Sequence, residues 1–170
     1  KSPRSTVGTV TEIHDYLRIL MARLGRPHCP SCGTLIGTQT ADEIIEKILH
    51  LPEGTKVYIM APVERRDNET HEALWEDLKA TGFARVRVDG KSVSLDDPPK
   101  LSHRRKHRLE VVIDRAVVRR STRSRLADSV ESALDLGKGV LHVARVGDDK
   151  ANEPNWQVDR YSQHRSCDRC

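Results

Sequence analysis

Aromatic residues are scarce in this sequence: of its 170 residues one is Phe, two are Trp and three are Tyr, 4% in all. That disfavours a nucleic-acid module built on rows of exposed rings that stack bases. No apolar run approaches the ~20 residues a membrane helix requires. Lys1 to Gly8 is polar and does not open like a signal peptide. The default expectation is a cytoplasmic protein with no membrane partner. Catalytic signatures are missing as well. Gly90-Lys91-Ser92 ends like a phosphate-binding loop, but Arg85 stands where the first glycine is needed. His71-Glu72 opens like a zinc-protease helix, yet Trp75 occupies the second histidine position. Asp114 and Asp128 read as surface charges on a strand and a helix. No catalytic residue is assigned, and this chain by itself is not read as an enzyme.

What the sequence does contain is charge. Hydrophobic residues make up 36% and charged residues 32%, which implies a modest core under a highly charged surface. A net charge of +4 and a pI near 9.0 permit an acidic or phosphate-rich partner without requiring one. The length suits one compact domain with a smaller appendage.

Apolar spacing predicts the elements. Thr9 to Glu12 has the form of a capping box, and Ile13, Tyr16, Leu17, Leu20 and Leu24 form one helical face that Gly25 and Pro27 terminate. A second box, Thr40 to Glu43, opens a helix bearing Ile44, Ile45, Ile48 and Leu49. Lys56 to Val63 reads as a strand, Thr70 to Ala80 as a helix, and Phe83 to Asp89 as an alternating strand turning at Asp89-Gly90. Leu109 to Val118 is the most apolar strand. Arg123 to Leu136 is a helix, Val140 to Val146 a strand, and Trp156 to Tyr161 a last short one. This order predicts an α+β fold, a two-layer α/β sandwich with ferredoxin-like strand and helix order. The sandwich would be inserted in a helical base that carries zinc knuckles. The divisions are 1–38 for the first helix and knuckle, 39–146 for the α/β domain, and 147–170 for a return segment.

All four cysteines fall in two Cys-x-x-Cys pairs, Cys29/Cys32 and Cys167/Cys170. Four thiolates complete a tetrahedral zinc shell, and such a closed site is structural. The usual separation of the pairs is roughly 12–20 residues. Here they bracket the whole α/β unit, so a shared zinc would clamp its two ends together. Three alternatives stay open: Cys167/Cys170 pairs with another knuckle beyond the chain end, His28 or His164 replaces a thiolate, or a pair serves as a redox dithiol.

The basic residues divide into two kinds. Arg104 to Arg108, and Arg119, Arg120, Arg123 and Arg125, lie in or near loops. They suit phosphates or an acidic protein face, and equally a solvated surface. Arg85 and Arg115 lie inside strand-like runs. Arg115 follows Leu109, Val111 and Ile113 in phase, so it must be paired, at a strand end, or facing a partner. A planar guanidinium grips a carboxylate with two hydrogen bonds, which makes both residues candidate interface anchors.

Several longer stretches carry a family resemblance: Pro3 to Ile13, Asp15 to Arg18, Ala22 to Gly25, Pro27 to Pro30, Arg85 to Gly90, Lys106-His107, Val111 to Arg115 and Ser124 to Leu134. Together they resemble the UvrA family, the damage-recognising ATPases of bacterial nucleotide excision repair. The resemblance implies part of a signature domain followed by the inserted UvrB-binding domain. It implies that Arg85 and Arg115 meet acidic residues of UvrB, with Arg87 and Lys106 as further partner-binding candidates. Damaged DNA, a UvrA homodimer and ATP would be partners of the whole parent, with the ATP site outside this chain. Glu64 to Glu72 is acidic where the family is rich in lysine and glycine. Ser166 to Cys170 lacks the proline the family places after the first cysteine. The competing function is a zinc-containing module that binds DNA directly, motivated by the pI and the arginine clusters.

Overall fold

The computed structural model describes residues 12–65, 69–102, 105–147, 150–165 and 167, with the backbone alone for 150–152. Its α-helices are α1 (Ile13–Leu24), α2 (Ala41–Leu49), α3 (His71–Ala80) and α4 (Arg123–Leu136), with 3-10 helices at Arg120–Thr122 and Lys150–Asn155. Its strands are β1 (Lys56–Val63), β2 (Arg85–Val88), β3 (Lys91–Ser94), β4 (Leu109–Val117), β5 (Val140–Arg145) and β6 (Val158–Ser162). They form one sheet in the order β3-β2-β4-β1-β5-β6, with every neighbouring pair antiparallel. The inner four strands, with α3 after β1 and α4 after β4, have the expected ferredoxin-like arrangement. The hairpin strand β3 and the return strand β6 widen it at its two edges.

Strand alternation sorts side chains between the faces. Val57, Ile59 and Ala61 of β1 pack with Leu141 and Val143 of β5 beneath Ile44 and Ile48 of α2 and Leu126, Val130 and Ala133 of α4. The same layer continues under α3, where Leu74, Trp75 and Leu78 cover Val86, Val88, Leu109 and Val111. Among the described residues no α-helix packs on the opposite face, which instead meets the short 3-10 helix Lys150–Asn155 at the β2–β3 hairpin. The apolar content of this face is a smaller group: Met60, Val112, Ala144 and Trp156, flanked by Tyr58 and Val158.

Local chemistry sets the helix starts. At α2 the Glu43 backbone N–H donates to Thr40 Oγ1 at 3.2 Å, and the Thr40 N–H donates to the Glu43 carboxylate at 2.9 Å, a complete capping box. The box expected ahead of α1 lies partly outside the described residues, since Thr9 is not among them. Glu12 takes a left-handed φ of 59° without a side-chain cap. The apolar face of α1 is present, but none of its residues is buried; Tyr16 is 68% and Leu24 75% exposed.

Asp114 is not the plain surface charge the sequence suggested. Its carboxylate accepts from Arg125 Nε at 2.8 Å, Arg125 Nη2 at 2.6 Å and Ser129 Oγ at 3.0 Å, which ties β4 to α4. A register shift makes this possible. Ile59 faces Asp114 while Met60 faces Val112, so β4 carries one extra residue at this point.

Two outcomes follow from this packing. Ile59 has no exposed surface, so Ile59→Ala should destabilise the chain by about 2–5 kcal/mol in denaturant titrations. Leu17→Ala, on the exposed face of α1, should stay within about 0.5 kcal/mol. The Arg125 hydrogen bonds hold the Asp114 carboxyl below its ordinary 3.8, despite partial burial. The carboxylate's contribution to stability is therefore complete above that ordinary value and is lost as pH falls through the lower folded value. Asp114→Asn should remove that part of the acid-side slope in a stability-against-pH series.

Candidate functional site

The face of the sheet opposite α2, α3 and α4 carries the strand arginines. Along β2, Val86 and Val88 enter the core, so Arg85 and Arg87 point to the open face. Arg115 stands beside Tyr58 of β1, where the extra residue in β4 has reset the alternation and turned it away from the helices. Arg85 and Arg115 are both exposed, and among the described residues neither guanidinium pairs with an acid. The face thus offers two cations on neighbouring strands, with the half-buried Tyr58 and the buried Val112 as apolar ground.

Arg87 differs from its neighbour, and its expected role as a partner contact does not fit its position. Its guanidinium has no exposed surface. Nη1 lies 3.4 Å from Glu110 Oε2, Nε donates to Gly90 O at 3.0 Å, and Nη2 donates to Glu153 O at 2.6 Å. Its planar group also lies 5.9 Å from the Trp156 ring centroid. Glu110 is equally buried and receives His142 Nδ1 at 2.7 Å. Burial pushes the Glu110 carboxyl up, but the His142 contact and charge, with Arg108 and Arg87, outweigh it and leave the group below its ordinary value. Arg87, Glu110 and His142 therefore form a hydrogen-bonded ladder of side chains from three strands inside the chain. The sequence reasoning did not single out Glu110, His142 or Glu153. Glu110 alone left a signal, as the one acid between Leu109 and Val111 in the most apolar strand.

Lys106 is exposed in the loop ahead of β4. That loop is anchored at the β2–β3 turn, where His107 Nδ1 donates to Asp89 Oδ2 at 2.7 Å and the Arg108 N–H donates to Asp89 Oδ1 at 2.9 Å. Asp89 has a φ of 49°, a left-handed conformation Asp tolerates better than most residues. The His107 hydrogen bond is the main reason its carboxyl lies below the ordinary value. Of the other arginines, Arg123 bonds Glu46 of α2 and lies 3.5 Å from Asp42, so it is a bridge between helices.

The cysteines converge at the other end of the fold. Cys29 to Leu35 forms a knuckle: the Gly33 N–H donates to Cys29 O and the Cys29 N–H to Thr34 O, each at 2.8 Å. Gly33 takes a φ of 70°, which glycine adopts at no steric cost. The sulfurs of Cys29, Cys32 and Cys167 all lie within 4.8 Å of one another, and Cys32 Sγ is 3.4 Å from Cys167 Sγ. Cys170 lies outside the described residues. The Thr34 contacts, chiefly, lower the Cys32 thiol to about 6, which favours the thiolate a metal requires. Three sulfurs at this spacing around a knuckle turn fit a tetrahedral thiolate centre. His164 Nε2 donates to Lys138 O at 2.6 Å and His28 Nδ1 to Arg26 O at 2.9 Å.

Residues 39–147 match a protein family described as the UvrA interaction domain. Along nearly its whole length the chain is similar to proteins named UvrABC system protein A. It is 45% identical over 167 residues to that of Mycobacterium bovis, covering 98% of this chain and 17% of the relative. It is 42% identical over 170 residues to that of Bacillus subtilis, covering 100% and 17%. It is 47% identical over 171 residues to that of Methanothermobacter thermautotrophicus, covering 98% and 17%. The chain therefore spans about 17% of the length of these relatives. A family match over more than half of the residues, with such relatives along the remainder, establishes that the chain belongs to the UvrA family.

Proposed function

We propose that this chain is the part of a nucleotide excision repair ATPase that docks UvrB, with Arg85 and Arg115 as the anchoring cations. The observation that carries the reading is the pair of exposed guanidiniums on adjacent strands of one sheet face, each without an acidic partner among the described residues. Strand backbones hold both groups in place, so little order is lost when carboxylates meet them. Opposed charge would steer the encounter and reject cationic surfaces. Lys106, exposed in the adjoining loop, adds to the same field. The parent would bring UvrB to damaged DNA in the cytoplasm, as a homodimer that binds ATP elsewhere in its length.

Cys29, Cys32 and Cys167 would hold a structural zinc, with Cys170 as the fourth thiolate. The ion would supply a cross-link between the knuckle and the return segment, 135 residues apart between Cys32 and Cys167, and no chemistry on a substrate.

Two measurements test these readings. Arg85→Glu with Arg115→Glu should abolish UvrB pull-down while the circular dichroism of the chain stays unchanged. Each single reversal should weaken binding by about 2–5 kcal/mol. Retained binding by the folded double variant contradicts the reading. Elemental analysis should find about one zinc per chain, with Cys29→Ser and Cys167→Ser each losing it. A metal content indifferent to Cys167 would place that cysteine outside the site.

A further inference from the structure

We propose that the return segment from Lys150 to Trp156 straps the docking face into shape, with Glu153 as its positioning residue. The inference rests on the docking reading above and extends it beyond residues 39–147, the span the family match covers.

The hairpin of β2 and β3 needs outside support. Each strand is four residues long, and β3 is the outermost strand of the sheet. Such a short edge hairpin is marginal by itself. Arg85 sits at the start of β2, opposite Ser94, so any swing of the hairpin moves Arg85 relative to Arg115 on β4.

The return segment grips that hairpin at three points. The Glu153 carboxylate accepts from the Ser92 N–H at 3.1 Å and from the Ser92 hydroxyl. The Glu153 carbonyl accepts from Arg87 Nη2 at 2.6 Å. Pro154 lies against Gly90, where an added Cβ would come within 3.0 Å of Pro154 Cα, and Gly90 has a φ of 90°. Immediately after, Trp156 meets Tyr58 edge-on, with ring centroids 5.4 Å apart, and backs the Arg87 guanidinium. Tyr58 is in turn the register neighbour of Arg115. One seven-residue stretch (150–156) therefore touches the supports of both docking arginines.

Glu153 itself need not touch UvrB. It acts through Ser92, by fixing the angle of the hairpin and hence the spacing of the two cations. A carboxylate is needed because it accepts both the backbone and the hydroxyl hydrogen of one serine, as a charge-assisted pair.

The test uses the 170-residue chain. Partner-free hydrogen–deuterium exchange should quicken across 85–94 in Glu153→Ala and stay unchanged in β1 and β5. At a temperature where circular dichroism shows full folding, Glu153→Ala should weaken UvrB binding roughly tenfold. Glu153→Gln, which keeps one acceptor, should recover part of that loss. In a double-mutant cycle, Ser92→Ala should add no further loss to Glu153→Ala. Unchanged hairpin exchange, unchanged affinity of the folded variant, or strictly additive losses would each overturn the proposal. Arg85→Glu serves as the control. If it leaves UvrB binding intact, the docking reading fails, and the partner-free exchange alone still decides whether Glu153 sets the hairpin.

Discussion

A guanidinium with no exposed surface, that of Arg87, sits on the face of the sheet opposite the three main α-helices. Taking such a charge out of water is costly unless every donor finds an acceptor. Its partners come from separate parts of the chain: the carboxylate of Glu110 in β4, the carbonyl of Gly90 in the hairpin turn, and the carbonyl of Glu153 in the return segment. The requirement to satisfy one buried cation thus brings together the hairpin, the central sheet and the return segment. Apolar packing contributes less here than on the opposite side, where the three main helices lie: a small cluster of Met60, Val112, Ala144 and Trp156 backs the return segment.

From that constraint the character of the open face follows. Its interior holds a cation neutralised by the chain's own Glu110 carboxylate, which His142 also bonds, while its surface keeps two arginines whose charge is left over. The separation is sharp: Arg87 and Arg85 lie two residues apart on one strand and one face, yet one is fully covered and the other exposed. A sheet whose inner charges are already paired can offer the outer ones without internal competition, which is the condition for preorganised recognition. The return segment that covers Arg87 then pairs as β6 with β5 and runs on to Cys167 beside the first knuckle. The sulfur cluster and the arginine face are consequently joined through one continuous stretch of chain.

Much of this was legible from local sequence. Capping residues, helical spacing and the Asp89-Gly90 turn locate the elements to within a residue or two, because each rests on neighbours a few positions away. The pairing of the cysteine segments was also accessible, since two-residue spacing has few other uses at this frequency. The faces of the arginines were not. Alternation put Arg85 and Arg87 together correctly, but which of them is covered depends on Glu153, 66 residues beyond Arg87. Arg115 was read in phase with Leu109 and Val111. The extra residue opposite Ile59 and Met60 reverses that phase, and nothing in the local pattern marks it. Asp114 was misread for the same reason, its partners Arg125 and Ser129 lying on a helix that only the tertiary fold sets above it.

Carboxylates of a protein partner would meet the guanidiniums of Arg85 and Arg115 directly. Side-chain NMR of the arginine Nε–H groups, recorded as UvrB is added, tests this contact. The signals of Arg85 and Arg115 should shift and gain protection from exchange, while that of Arg123, already bound to Glu46, stays in place. Complex formation that leaves both signals unmoved would contradict such a contact.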